Sequence, residues 1–301
     1  MPASAVSIRG LTKQYGALRA VDNLNLEVAP GEILGFLGLN GAGKTTTIRI
    51  LLDLLRPTRG SAFIFGHDCR RDGLAVRANV GYLPAEMGIY PDLTGLEVLS
   101  LLAGLGGRAA APRRRRELQE RFGLPDTDLR RKLREYSTGM KRKLGLIQAF
   151  QSDPLLLILD EPTEGLDPLM QEAFYALLAE ARQRGAAIFM SSHVLSEVDR
   201  VCDRVALLRK GELVLLRAVE EIRRLASRRV RVHLLEDRLP PAQFPPGVEL
   251  IESAPRLWTL DVEGYLGPLL ECLRAVPVRD LEVVESKLED VVMRYYREDR
   301  P

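Results

Sequence analysis

The stretch Gly38-Leu39-Asn40-Gly41-Ala42-Gly43-Lys44-Thr45 decides how the rest of the chain is read. It fits the pattern G-x-x-x-x-G-K-[ST], and its setting fits as well, with apolar Ile33–Leu37 leading in and a helix-like segment, Thr46–Leu55, leading out. A triphosphate needs backbone N–H groups turned inward at close range, and a Cβ at the glycine positions would obstruct that approach. The helix that begins near Gly43 adds unpaired N–H groups and the positive end of its dipole. Lys44 then reaches the β- and γ-phosphates as a point charge, and the Thr45 hydroxyl ligates Mg2+. Gly38, Asn40, Gly41, Ala42, Gly43, Lys44, Thr45 and Thr46 are therefore the candidate contacts to the nucleotide, and ATP with Mg2+ is the expected ligand.

Composition sets the bounds around this loop. A length of 301 residues with 46% hydrophobic content allows one large domain or two smaller ones, each with a packed core. The chain reads as soluble: no uninterrupted apolar run approaches the roughly 18 residues of a membrane span, so a role at a membrane would be peripheral, through a partner. Forty-three basic residues against forty-one acidic ones leave a net charge of +2, which gives no reason to expect nucleic acid as a partner. Cys69, Cys202 and Cys272 form no C-x-x-C pair and read as small core residues in a reducing cytoplasm.

Ahead of the loop, Val6–Ile8 and Leu24–Val28 read as a small antiparallel β arm, with Tyr15 in the turn Lys13-Gln14-Tyr15-Gly16. Behind it, Ala62–Phe65 and Val80–Leu83 read as strands, the second ending at Pro84-Ala85-Glu86. Residues 88–152 form a helical insertion, opened by the capping box Thr94-x-x-Glu97. The run Arg113–Arg116 within it reads as a solvated helix face, or as a surface that docks on acidic partners or lipid headgroups. Apolar Leu155–Leu159 suits a central parallel strand that delivers Asp160 and Glu161 to the site, one for Mg2+ and one as a base for water. Gln171–Arg184 is the next helix, and Ala187–Met190 is a strand ending at Ser191-Ser192-His193, which puts His193 at the ligand-bearing edge of an open α/β sheet. Val205–Leu208 and Leu213–Leu216 close the first domain as a hairpin. From 217 onward, strands at Arg228–His233 and Leu257–Val262 and two helical patterns, the second capped by Ser286-x-x-Glu289, indicate a small α+β domain.

Taken in order, these motifs resemble the ATP-binding subunit of ABC transporters over roughly residues 6–216. Tyr136-Ser137-Thr138-Gly139-Met140, 23 residues before Asp160 when counted from Ser137, followed by Glu164-Gly165-Leu166-Asp167 and His193, narrows the resemblance to that family. The resemblance implies a P-loop NTPase fold with a mixed central sheet, and places 1–216 as the nucleotide-binding domain and 217–301 as an accessory domain. It implies that Tyr15 stacks on adenine, that Asp160 supports Mg2+, that Glu161 activates water and that His193 senses the γ-phosphate. Ser137 and Gly139 would bind the γ-phosphate of ATP held by an opposite subunit, with Asp167 also among the nucleotide contacts. The working unit would be a head-to-tail dimer that hydrolyses ATP at the cytoplasmic face of the membrane and energises a separately encoded transmembrane permease, an exporter.

Four positions depart from the family pattern. Thr138 and Met140 stand at its second glycine and its glutamine, Glu164 replaces a serine, and Ala85 stands where the family often has the glutamine that contacts Mg2+. Glu86, one residue on, becomes a candidate metal contact in its place. Two other readings compete: an ABC ATPase of translation or repair, for which the single motif set and the absence of sustained heptads in residues 46–136 are unfavourable, and a nucleotide-responsive regulator without hydrolysis, against which Glu161 and His193 stand.

Overall fold

The computed structural model describes residues 4–88, 90–105, 112–225, 228–284 and 292. Two compact units make up the chain, Met1–Leu216 and Arg217–Pro301.

The first unit opens with β1 (Val6–Tyr15) and β2 (Leu18–Val28), which pair antiparallel along almost their whole length. The arm is longer than Val6–Ile8 and Leu24–Val28, because β1 is also paired on its other side. Tyr15 accordingly ends a strand; the turn itself is Gly16-Ala17. β3 (Ile33–Leu37) is buried at every residue and leads to α1 (Lys44–Leu51), then β4 (Arg59–Ile64) and β5 (His67–Asp68). These complete a four-stranded sheet in the order β2-β1-β4-β5.

After α2 (Gly73–Arg77) and β6 (Val80–Leu83) comes the helical insertion: α3 (Gly95–Leu105), α4 (Pro112–Phe122), α5 (Asp126–Leu129), a 3-10 turn at Leu133–Glu135 and α6 (Thr138–Phe150). The capping box that starts α3 forms as read: Thr94 N donates to Glu97 Oε2 at 2.7 Å and Glu97 N donates to Thr94 Oγ1 at 3.3 Å. The bond from Thr94 N, and a second from the Thr94 hydroxyl to Glu97 Oε2 at 2.8 Å, hold the Glu97 carboxyl below its usual range. α3 lies against the segment before α6 so closely that a Cβ on Gly95 would stand 2.3 Å from Tyr136 Oη. That hydroxyl donates to Asp128 O at 2.8 Å, and burial pushes it up to about 12. The arginine run is not a uniform solvated face. Arg113 and Arg116 are exposed, whereas Arg114 reaches Asp153 at 3.2 Å and Arg115 donates to Gln151 Oε1 at 3.1 Å and to Ser100 Oγ at 3.3 Å.

The chain then adds β7 (Leu156–Asp160), α7 (Pro168–Gln183), β8 (Ala187–Ser192), α8 (Leu195–Val201), β9 (Arg204–Arg209) and β10 (Glu212–Ala218). With β3 and β6 these strands form a six-stranded sheet in the order β10-β9-β3-β8-β7-β6. β3 is parallel to β8 and β9, and β7 is parallel to β6 and β8, so the ends of β3, β7 and β8 share one edge. β7 and β8 are buried throughout, which is why their sequences run apolar without alternation. α7 starts at Pro168 because Asp167 accepts from Met170 N at 2.9 Å as its N-cap and proline suits the first helical position.

The second unit holds α9 (Val219–Leu225), β11 (Arg228–Leu234), β12 (Val248–Ala254), β13 (Leu257–Val262), α10 (Gly267–Leu273) and β14 (Val278–Val284). Its antiparallel sheet runs β12-β13-β11-β14 around a fully buried Trp258, whose ring meets Phe244 edge-on at 6.3 Å. β12 and β14 are additional to the two strands read from sequence. The capping box Ser286-x-x-Glu289 lies outside the described residues.

Candidate functional site

The phosphate loop follows β3, and its geometry is set by close packing. Gly43 has φ 111, and a Cβ there would meet Ala20 O at 2.3 Å, so only glycine can hold this bend. The bend turns α1 so that its first residue, Lys44, is 6% exposed with Nζ donating to Gly38 O at 2.5 Å. Leu39, Asn40 and Gly41 form the exposed rim of the cradle, while Gly38, Ala42 and Gly43 are buried behind it; Thr45 and Thr46 open α1 half-buried.

The ends of β7 and β8 bring the acidic groups to this loop. Thr45 Oγ1 donates to Asp160 Oδ2 at 3.1 Å, and Ser191 Oγ donates to Asp160 Oδ1. Asp160 is 1% exposed, so its carboxylate depends on these hydroxyls for its hydrogen bonds. Glu161 has φ 50, a left-handed conformation that costs a residue with a side chain ~1–3 kcal/mol. Its backbone N–H is held by Ser191 O at 3.2 Å. Glu161 Oε1 lies 3.5 Å from Lys44 Nζ, and Oε2 lies 2.7 Å from His193 Nδ1. A carboxylate only accepts, so Nδ1 donates to it; in the neutral ring Nε2 then has no proton, and a hydrogen bond from Nε2 to a phosphate oxygen requires the imidazolium form. The carboxylate is thus aimed between the phosphate-loop lysine and the histidine.

Sequence reasoning passed over two residues that shape this cluster. Ser191 pairs in register with Asp160, and a polar residue at the end of an apolar strand was the available signal. Arg142, one turn into α6, is 4% exposed; Nε donates to Pro162 O and Nη2 to Asp160 O, both at 3.1 Å, while Nη1 donates to Pro84 O at 2.8 Å and Ala85 O at 3.1 Å. Burial lowers its guanidinium from the ordinary arginine value, against the pull of Glu164, Asp160 and Glu161. No motif carried that role.

The remaining candidates stand apart from the cluster. Tyr15 is 48% exposed at the end of β1, with the Lys13 ammonium 4.9 Å from its ring centre. Ser137 is the exposed N-cap of α6, its Oγ accepting from Met140 N at 3.2 Å. Gly139 has no need of being glycine within its own chain, since a Cβ there would have Gly165 O as its nearest neighbour at 3.8 Å. Glu86 is exposed in the bend after β6, and no hydrogen bond or ion pair joins it to Thr45 or Asp160. Among the described residues no group of three His, Cys, Asp or Glu gathers as a metal cage. Mg2+ keeps waters and takes one or two protein oxygens together with substrate phosphates, and Thr45 and Asp160 fit such a partial set. Cys69 and Cys202 are buried, and burial pushes the Cys69 thiol up to about 12.

A phosphate cradle, a carboxylate pair at the end of a buried strand and a capped, exposed helix start fit the comparisons with known proteins. Residues 21–164 match the ABC transporter family model. The daunorubicin resistance ATP-binding protein DrrA3 of Streptomyces coeruleorubidus is 34% identical over 300 residues, which cover 98% of this chain and 93% of that protein. The chain belongs to the ATP-binding subunits of ABC transporters. The bacitracin transport ATP-binding protein BcrA of Bacillus licheniformis is 39% identical over 216 residues, 70% of this chain and 69% of that one. A solved ATP-binding subunit of an ABC transporter superposes with TM-score 0.68 at 32% identity, over 73% of this chain and 92% of that one. This subunit is therefore an ATP-binding and ATP-hydrolysing enzyme. The DrrA3 match covers 98% of this chain and so takes in the second unit as well.

Proposed function

We propose that the subunit works as one of a pair that closes head to tail over two ATP molecules and drives a separately encoded permease exporting its substrate, from the cytoplasmic face of the membrane. The observation that carries this reading is the split site. Phosphate loop, Asp160, Glu161 and His193 are tied together by hydrogen bonds, whereas Ser137 and Gly139 stand on an exposed helix start joined to that cluster by no bond of their own. An exposed helix N-terminus with a hydroxyl at its cap attracts anions, and the γ-phosphate of an opposing subunit's ATP is such an anion. Export is supported by near full-length similarity to a protein named for drug resistance. Peripheral attachment suits a chain in which, among the described residues, no helix is long and apolar enough to cross a membrane.

In this reading the phosphate loop holds the triphosphate, and Lys44 exchanges its bond to Gly38 O for phosphate oxygens. Thr45 and Asp160 would hold Mg2+, which would neutralise the charge that develops on the phosphate oxygens. Glu161 accepts a proton from the attacking water, and His193 fixes the Glu161 carboxylate while sensing the phosphate that leaves. Tyr15 offers a ring face to adenine. Closure between subunits excludes bulk water and adds the donors at Ser137, so hydrolysis waits for assembly.

The test is complementation in trans. Lys44→Ala disables one face of the site and Ser137→Arg the other, so each variant alone should be inactive. An equal mixture should regain ATP hydrolysis, because a heterodimer builds one intact site out of two. Mixtures that stay at the level of the separate variants, with heterodimers confirmed, would place the whole site within one chain.

A further inference from the structure

We propose that Arg142 is a positioning residue for hydrolysis: its guanidinium clasps the carbonyl groups of the two residues that flank Glu161, Asp160 and Pro162, to the loop after β6 and keeps the Glu161 backbone in its left-handed conformation. This rests on the reading of Glu161 as the base. Two independent features lead to it. First, the acceptors of Arg142 are all carbonyl oxygens, and they come from two places: Asp160 O and Pro162 O bracket Glu161, and Pro84 O and Ala85 O belong to the loop beyond β6. A planar fork with donors at fixed angles can tie two such segments at once, which a point charge cannot. Second, α6 is pressed against that loop just beyond Arg142, since a Cβ on Gly145 would stand 2.7 Å from both Leu83 Cδ1 and Met87 Sδ. The close approach leaves the arginine little room to take another path.

The consequence concerns geometry at the base. Glu161 sits at φ 50 with only Ser191 holding its own N–H, and the carbonyls before and after it are fixed by Arg142. Release of those carbonyls lets the peptide relax toward an ordinary conformation, and the carboxylate then leaves its place between Lys44 and His193. Ala85 has no polar side-chain atom, so what links this loop to the site in this chain is backbone bonded to Arg142. Arg142 is also borne on the helix whose N-terminus carries Ser137 and Gly139. Movement of α6 during assembly therefore reaches Glu161 through one side chain.

The experiment is a double-mutant cycle on the full-length chain, with ATP hydrolysis followed at steady state over a range of ATP concentrations and nucleotide binding followed with a fluorescent ATP analogue. Arg142→Met, which keeps the buried stem and removes the donors, should lower kcat by about tenfold or more, as misplacement of a catalytic group does, with KM for ATP unchanged. In the Glu161→Gln background the same substitution should bring no further loss, because Arg142 acts through that residue. Arg142→Lys should fall between wild type and Arg142→Met, and it runs the same cycle if the methionine variant does not fold. Multiplicative losses in the cycle, a raised KM with kcat unchanged, or a lysine variant equal to wild type would overturn the proposal. Retention of hydrolysis by Glu161→Gln itself would instead remove the reading of the base on which it stands.

Discussion

The phosphate loop and the start of α6 are both helix N-termini in the same unit, and they are built in opposite ways. At the phosphate loop the chain supplies its own constraints: Gly43 is wedged against Ala20 O, and Lys44 is buried and bonded to Gly38 O. At α6 the chain supplies only a cap, and Ser137 and Thr138 face solvent with nothing of their own chain to explain Gly139. The contrast teaches that a glycine can be demanded from within or from without. The first kind is a condition of folding the loop; the second makes sense only if something else comes close.

The largest effect expected from this comparison is at Gly43. Gly43→Ala places a Cβ on a backbone oxygen at a φ that L-residues avoid, so nucleotide binding should be lost outright, read by titration with a fluorescent ATP analogue alongside thermal unfolding. Binding at wild-type strength would show that the loop is not held as described. Next is Glu161→Gln, whose amide keeps the shape of the carboxylate and cannot take a proton. Hydrolysis should fall by roughly 10²–10⁴-fold while ATP binding persists, and ATP should then hold the subunits together as a dimer in size-exclusion chromatography. A variant that stays monomeric at every ATP concentration would break the split-site model.

Gly139→Ala sharpens the contrast directly. Its φ is ordinary and its Cβ would have room, so stability should hold or rise by ~0.5–1 kcal/mol through the better helix propensity of alanine. Hydrolysis should nonetheless drop by about tenfold, the worth of a charge-assisted hydrogen bond to a phosphate that can no longer approach. Unchanged hydrolysis would mean that nothing docks there. The smallest effect is Ser137→Ala, where loss of the cap on α6 should lower stability by about 1 kcal/mol in chemical unfolding. A change no larger than that of a surface substitution would show that the cap contributes nothing to the helix.

Legibility in the sequence followed the same divide. Phosphate chemistry imposes residue types at fixed spacing, so Gly38 to Thr45 could be read without neighbours, and burial on both faces made β7 visible as an unbroken apolar run. β12 and β14 escaped because both are sheet edges with mostly exposed residues, which erases the alternation that marks a strand. Arg142 escaped because it is one base among Lys141, Arg142 and Lys143, and its meaning lies in carbonyls 18 to 58 residues away. The arginine run misled for a related reason: sequence shows four like charges, and only packing decides that Arg114 and Arg115 turn inward while Arg113 and Arg116 do not.

Gly95 and Tyr136 carry a consequence for how this family can vary. The phenol oxygen takes the space a Cβ on Gly95 would need, so a larger residue at the first position and tyrosine at the second are mutually exclusive on this backbone. Drift at either site is constrained by the other: the tyrosine must yield before the glycine can. Across relatives, side chains should therefore occur at the Gly95 position only in chains that have given up the tyrosine, and a tyrosine paired with a bulky residue there would signal that α3 has been displaced.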